Sequence, residues 1–245
     1  MDLKNGERID DLQIDNLKII QNRNGFCFGI DSVLLSDFAK TIKDNSEIID
    51  LGTGTGIISI LLTAKTKIKS IIGVEIQEDI AEMATRSIIL NNLQERIKIL
   101  NDDIKRIVDK LPHNYYDAIV TNPPYMKNNS GRINENYEKL ISRHEIKCTI
   151  EDIAKVSSIL LKNNGELYMV HRPNRLNDIV ETFRKNNLEI KTLRIIYPKI
   201  NEQANLILIK AVKNGKSFLK IEKPLYVYNE DGTYTKEIKK IYGKG

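Results

Sequence analysis

Glu47-Ile48-Ile49-Asp50-Leu51-Gly52-Thr53-Gly54-Thr55-Gly56 is the stretch on which the reading of this 245-residue chain turns. Glu47–Leu51 is a short apolar run interrupted by one acid, as in a buried parallel strand. Glycines at alternate positions then form a turn in which backbone can come close to a ligand. Residues 57–64 are apolar again and begin a buried helix. Strand, glycine turn and helix make the opening unit of an α/β sheet.

The same alternation runs outward from it. Ser70–Glu75 is a second strand, ending in a carboxylate, and Glu78–Leu90 is an amphipathic helix. Residues 96–100 form a third strand that ends in Asn101-Asp102-Asp103, and Tyr116–Thr121 a fourth. A helix over 150–161 stops near Asn163-Asn164-Gly165. A fifth strand over 165–170 and a helix over 173–185 follow, with Pro173 in the helix's first turn. Residues 188–196 and 204–212 supply two more strands. The expected fold is α/β: a doubly wound, mostly parallel seven-stranded sheet over 46–245. Residues 1–45 are expected as an appendage over the cofactor end of that sheet. It consists of a hairpin of 17–20 against 26–28 around Asn22-Arg23-Asn24-Gly25, then a helix over 33–41 capped by Asp31-Ser32.

The 38 basic and 33 acidic side chains leave a formal charge of +5, compatible with an anionic partner. Cys27 and Cys148 have no C-x-x-C spacing, and His113, His144 and His171 are scattered. Neither a disulfide framework nor a metal site is expected. No apolar run approaches the ~20 residues that span a bilayer, and the first 15 residues carry no signal-peptide core. The expectation is a soluble, cytoplasmic protein with no membrane, metal or obligate protein partner.

The glycine turn reads G-x-G-x-G, whereas a dinucleotide site wants G-x-G-x-x-G. Asp50 precedes it, and a carboxylate there repels a pyrophosphate. A cationic ligand without phosphate tolerates it. S-adenosylmethionine, with an ammonium, a sulfonium and a ribose, fits. Glu75 at the end of the second strand can accept both ribose hydroxyls, and Asp103 at the end of the third can accept from the adenine amino group. Asp102 competes with Asp103 for that place. Asp103 is preferred because Ile104 then begins the next helix.

Asn122-Pro123-Pro124-Tyr125 follows the fourth strand, at the carboxyl end where open α/β sheets bind ligands. An amide nitrogen, or an amino nitrogen conjugated to a ring, is a poor nucleophile because its lone pair is delocalised. Two acceptors aimed at its N–H groups hold it and draw it towards tetrahedral geometry. The Asn122 side-chain oxygen and the Pro123 carbonyl can be those acceptors. Pro123 and Pro124 stiffen the backbone, and Tyr125 offers a flat face to a planar substrate. The plain alternative is a β-turn with a tyrosine at the edge of the core.

Taken together, Asp50-Leu51-Gly52-Thr53-Gly54-Thr55-Gly56, Glu75, Asp103 and Asn122-Pro123-Pro124-Tyr125 resemble the motif set of class I S-adenosylmethionine-dependent N-methyltransferases, which have a Rossmann-like fold. Within that group the chain is similar to the bacterial tRNA1(Val) adenine-N6 methyltransferases over residues 7–241. The further likeness lies in Gly25-Phe26-Cys27-Phe28-Gly29-Ile30-Asp31-Ser32-Val33-Leu34-Leu35, in Arg143-His144-Glu145, in Pro224-Leu225-Tyr226-Val227-Tyr228 and in Gly232-Thr233-Tyr234-Thr235. The resemblance implies methylation of the adenosine next to the anticodon of a valine tRNA, with tRNA as partner and S-adenosylmethionine as cofactor. The candidate cofactor set is Phe28, Asp31, Asp50, Gly52, Gly54, Gly56, Glu75, Ile76, Asp102, Asp103 and Asn122. The candidate catalytic residues are Asn122, Pro123, Pro124 and Tyr125.

Two rival functions stand beside this one. A glutamine N5-methyltransferase acting on a peptide release factor needs the same two acceptors. It would usually carry an amino-terminal helical domain, for which about 45 residues are too few. The other rival is a non-catalytic RNA-binding module, against which the intact Asp50, Glu75 and Asn122 count. Residues 126–147 read as a functional or disordered loop, with Arg143-His144-Glu145 either a structural clasp or a substrate contact. Seven basic and three acidic side chains from Arg172 to Lys199, with a basic tail from Lys210, form either an RNA-facing rim or a solvated face.

Overall fold

The structure, a computed structural model, describes residues 3–23, 25, 27–124 and 148–244. Strands β1 (Glu7–Asp11) and β2 (Lys18–Asn22) form a separate antiparallel hairpin. The main sheet contains β3 (Glu47–Leu51), β4 (Ser70–Glu75), β5 (Ile97–Asn101), β6 (Tyr116–Thr121), β7 (Leu161–His171), β8 (Leu188–Tyr197) and β9 (Leu206–Lys213). Their order is β8-β9-β7-β6-β3-β4-β5. All neighbours are parallel except β9, which runs against both β7 and β8. Two short strands lie beyond the expected seven. Lys220–Ile221 (β10) and Leu225–Tyr226 (β11) pair in parallel with β8. Two-residue ladders leave no periodicity in a sequence, so nothing announced them.

The helices are α1 (Ile30–Phe38), α2 (Ile57–Lys65), α3 (Glu78–Leu90), α4 (Ile150–Leu160), α5 (Leu176–Lys185) and α6 (Lys236–Ile241). Neighbouring residues of a strand point to opposite faces, and here both faces are covered. Ile48, Tyr168 and Leu208 pack in one core with α1, α2, α3 and α6. Ile49, Leu167 and Ile209 pack in the other with α4 and α5. That double burial is why these strands are continuous apolar runs.

The appendage differs from expectation in two respects. Lys18–Asn22 pairs with Glu7–Asp11 through a turn in which Gln13, Asp15 and Asn16 take left-handed φ of 57°, 49° and 56°, in place of the expected partner 26–28, of which residue 26 lies outside the described residues. The polar β1 serves as a strand because Glu7, Arg8 and Asp10 have charged partners and β2 carries the apolar face. Ile19 and Ile20 of β2 are fully buried against α3, and the Ile20 N–H donates to Ser87 Oγ at 3.0 Å. The second difference is in α1, which starts at Ile30 with Gly29 as its N-cap and no side-chain cap. Asp31 and Ser32 therefore lie inside the first turn, and the Ser32 hydroxyl is engaged across the molecule instead.

One ion pair fixes the hairpin to α3. Arg86 donates to Glu7 Oε2 at 2.7 Å and to Glu82 Oε1 at 2.8 Å. The side chain of Glu7 is only 2% exposed. The Arg86 hydrogen bonds hold the Glu7 carboxyl below its ordinary value of 4.5. A depressed carboxyl contributes stability above that pH and loses it as pH falls further. Arg86→Ala strands a buried carboxylate and is expected to destabilise the fold by on the order of 3 kcal/mol at neutral pH. The deficit shrinks below pH 4, as urea titrations at several pH values would show. A variant as stable as the parent at pH 7 would remove this pair from the forces holding the hairpin.

Candidate functional site

β3 lies between β4 and β6, where the strand order reverses, and the crevice at the carboxyl ends of these strands is the natural ligand position. Gly52, Gly54 and Gly56 take left-handed φ of 71°, 56° and 87°, a conformation costly for any residue with a Cβ. A Cβ at Gly52 or Gly54 would meet nothing within 4 Å, so the inner side of the turn is open space. The Thr53 N–H donates to the Val74 carbonyl at 2.9 Å and lashes the turn across β4.

Asp50 has no solvent exposure. Its Oδ2 accepts from Thr53 Oγ1 at 2.7 Å and from Ser59 Oγ at 2.8 Å. Its Oδ1 is buried and meets no hydrogen-bond donor among the described residues. Burial pushes the carboxyl up to about 6, with the two hydroxyls pulling the other way and the nearby Glu75 charge adding to the rise. Glu75, also buried, accepts from the Gly54 N–H at 3.1 Å through Oε2 and from the Gln77 N–H at 2.9 Å through Oε1. Oε1 also accepts from Gln77 Nε2 at 3.4 Å, so the lone pair that remains is on Oε2. The turn is thus flanked by two carboxylates, one sealed beneath it and one at its mouth with acceptor capacity to spare. Such a set suits a ligand with a cationic group and paired hydroxyls and disfavours a pyrophosphate. Ile76, half-buried, follows Glu75 directly.

The end of β5 is tied to the same place. The Asp102 N–H and Asn101 Nδ2 both donate to the Glu75 carbonyl, at 3.0 and 2.9 Å. The Asp102 carboxylate pairs with Lys110 and stands 3.7 Å from Arg106, and the Lys110 bond holds it below the usual carboxylate range. Asp103 accepts from the Lys105 N–H at 2.9 Å and has a looser ion pair at 3.6 Å. Of the two, Asp103 is the less committed. The reason given for preferring it does not survive, because Ile104 begins no α-helix. A turn and a short 3-10 segment, Ile107–Asp109, follow instead.

On the other side of β3, Thr121 Oγ1 donates to the Leu51 carbonyl at 2.9 Å and locks the two strand ends together. Asn122 comes next, with Pro123 buried and Pro124 half-buried. Asn122 Nδ2 donates to Ser32 Oγ at 3.3 Å. That bond orients the amide and leaves Oδ1, the acceptor atom, for a ligand. Tyr125 lies outside the described residues, as do 126–147 with Arg143-His144-Glu145. Phe28 and Asp31 stand at the start of α1. Phe28 faces a cavity shared with Val33 and Leu61, and the Asp31 charge is felt at Arg172 and Tyr242.

His171, buried at the end of β7, is held down to about 4 by desolvation. Its Nδ1 accepts from the Arg172 N–H at 2.8 Å, so the ring is neutral at physiological pH. Among the described residues no three His, Cys, Asp or Glu side chains stand together as metal ligands. The basic run from Arg172 to Lys199 is largely compensated. Arg175, Arg184 and Lys185 pair with Asp178, Glu189 and Glu181 at 2.7, 3.0 and 2.6 Å, and Arg194 pairs with Glu237. Ser59 and Gln77 gave no sequence signal, and Thr53 and Ser32 were read only as a turn residue and a helix cap. The hydroxyls are ordinary in a turn or helix, and only their partners make them notable.

The raised Asp50 carboxyl predicts a pH dependence. Protonation removes the charge that would face an ammonium. Affinity for S-adenosylhomocysteine should therefore be level above about pH 6 and fall below it, approaching tenfold per pH unit. Asp50→Asn should bind weakly with a flat profile. Titration calorimetry from pH 5 to 8 checks both, and a wild-type affinity unchanged at pH 5 would take Asp50 out of the site.

Comparison with known proteins accords with this geometry. Residues 28–192 match the family described as Methyltransferase small domain. A protein of Pedobacter heparinus named tRNA1(Val) (adenine(37)-N6)-methyltransferase is 27% identical over 95% of this chain and 94% of its own. Among solved structures, a predicted O-methyltransferase of Agrobacterium tumefaciens superposes with a TM-score of 0.71 at 21% identity, covering 87% of this chain and 96% of its own. The M. jannaschii protein TYW2, solved in complex with AdoMet, gives a TM-score of 0.58 at 14% identity, covering 86% and 88%.

Proposed function

The chain belongs to the Methyltransferase small domain family, and on that premise we propose that it methylates the exocyclic N6 of an adenine in tRNA, the adenosine next to the anticodon of a valine tRNA. Its cofactor is S-adenosylmethionine, which supplies the methyl group already activated on a sulfonium. The observation that carries the proposal is Asn122 at the end of β6, its Nδ2 donating to Ser32 and its Oδ1 left as an acceptor. The name borne by the Pedobacter relative, similar along nearly the whole chain, supports the choice of substrate.

In this reading Asp50 faces the ammonium of the cofactor, Glu75 its ribose hydroxyls and Asp103 its adenine. Asn122 Oδ1 and the Pro123 carbonyl accept from the two N–H groups of the substrate amine, weakening the conjugation of its lone pair with the ring. The buried Pro123 and adjoining Pro124 keep that carbonyl in place. Tyr125 provides the stacking face. The base must leave its stack to present its N6 edge, and an anticodon loop, already single-stranded, makes that extrusion less costly. No side chain is assigned as general base, and the chief contribution is positioning.

Asn122→Ala should leave S-adenosylhomocysteine affinity nearly intact and slow methyl transfer by about a hundredfold or more, roughly the effect of losing one preorganised polar contact at a reacting centre. The assay is transfer of labelled methyl to total tRNA followed by nucleoside analysis, run in parallel on a peptide release factor. Label in N6-methyladenosine is the expected outcome. Label confined to the release factor would overturn the substrate, and full turnover by Asn122→Ala would overturn the role of Asn122.

A further inference from the structure

A cavity of about 320 Å³ lies beside α1, between the β1–β2 turn and the carboxyl-terminal segment. Its walls include Phe28, Tyr234 and Tyr242, with Asp11, Lys239 and Lys244. The rings belong to a built array. Tyr228 stacks on Tyr234 at 5.3 Å with planes 14° apart, and Tyr234 on Tyr242 at 5.6 Å and 19°. The array is anchored from below: Ile238 is fully buried, Thr235 Oγ1 donates to the Tyr226 carbonyl at 2.8 Å, and Lys65 Nζ donates to the Ile241 carbonyl at 2.9 Å.

The charge at this edge is of a different kind from that on β8 and α5. Those arginines and lysines meet acids or carbonyls. Lys236, Lys239, Lys240 and Lys244 have no acid within 4.0 Å among the described residues. Unpaired lysines beside stacked aromatic faces are the two components of single-stranded nucleic-acid sites, electrostatic attraction for the backbone and π-faces for the bases. Asp11 would repel a phosphate placed on it but can accept from a ribose hydroxyl or an exocyclic amine. The position also fits. Val33 lines the cavity, and its neighbour Ser32 is the residue that accepts from Asn122. Cavity and acceptor site thus both border the first turns of α1.

We propose that this cavity is a second nucleotide site, which takes an unpaired nucleotide of the same RNA strand whose adenine is methylated, its base against Phe28 and Tyr242 and its phosphate at Lys239 and Lys244. The proposal rests on the RNA-methylating reading above and deepens it. The site holds a base it does not modify, so it fixes the strand's register and contributes to affinity, not to chemistry.

The test uses the full chain and a fluorescein-labelled RNA stem–loop with a seven-nucleotide, adenosine-containing loop, a size chosen to mimic an anticodon arm. The doubly substituted Lys239→Ala/Lys244→Ala protein should bind this RNA at least fivefold more weakly. The slope of log affinity against log salt should fall by about one for each lysine that meets a phosphate. Its S-adenosylhomocysteine affinity and its turnover at saturating RNA should be unchanged, which a folding defect would not allow. Tyr242→Leu should weaken binding without altering the salt slope. In the wild-type protein, 4-thiouridine placed through the loop should cross-link to residues 228–244 from a position other than the methylated adenosine. If the wild type binds and methylates the stem–loop while the double variant keeps both its affinity and its slope, the cavity assignment is wrong and the methylation reading stands. If the wild type neither binds nor methylates RNA, the reading fails and the cavity assignment goes with it.

Discussion

A carboxylate sealed from solvent organises the ligand end of this sheet. Asp50 sits near the end of β3, the strand flanked by β4 and β6, with no exposed surface. Desolvating an ionised carboxylate costs several kcal/mol, and the two hydroxyl bonds to a charged group return roughly 1.5–3 kcal/mol each. Burial wins, which is why the carboxyl rises to about 6 despite Thr53 and Ser59. By linkage, a raised acid contributes stability fully below its ordinary value of 3.8 and loses it as pH rises through about 6. At neutral pH the fold therefore bears a net cost at Asp50. What that cost secures is position: Thr53 belongs to the glycine turn and Ser59 to α2, so one oxygen joins strand, turn and helix. The other oxygen meets no protein donor among the described residues, and a cationic ligand is the natural partner for it.

Around that anchor the strand ends are stapled sideways. Thr121 bonds to Leu51, the Thr53 N–H to Val74, and Asp102 and Asn101 to Glu75. Each bond joins the end of one parallel strand to the next, so β5, β4, β3 and β6 present their terminal residues as one surface. The appendage completes it from outside the sheet. Its hairpin is held on α3 by Arg86 and Ser87, and its helix α1 reaches Asn122 through Ser32.

The sequence was most informative where burial on both faces dictated composition. The seven strands and the helices between them were legible because apolar runs alternate with amphipathic ones. The three glycines were legible because only glycine takes those left-handed angles cheaply. Glu7–Asp11 was not, since its strand character depends on pairing with Lys18–Asn22 and on Arg86, far along the chain. The start of α1 was misplaced because Asp31-Ser32 has the composition of a cap, while the Ser32 hydroxyl is taken by Asn122. What distinguishes Asp102 from Asp103 could not be read from local sequence: Lys110 and Arg106, on the following turns, engage Asp102.

Charge shows how two unlike ligands can be served by one small domain. The cofactor is cationic and the proposed substrate a polyanion, and no single surface attracts both. The acids at the ligand end, Asp50 and Glu75, are clustered close enough for the Glu75 charge to be felt at Asp50. Lysines in their place would repel the cofactor, and phosphates brought beside them would be repelled in turn. Lys236, Lys239, Lys240 and Lys244, with no acid within 4.0 Å among the described residues, lie instead on the carboxyl-terminal segment. On the proposed reading, a strand held there by its backbone sends one base towards Asn122 while its phosphates stay away from Asp50 and Glu75. The formal charge of +5 is thus less informative than its distribution. On the proposed reading, the helix whose Val33 lines the cavity also bears, one residue earlier, the serine that orients the acceptor amide, so the strand and its reacting base are both given a place by one element.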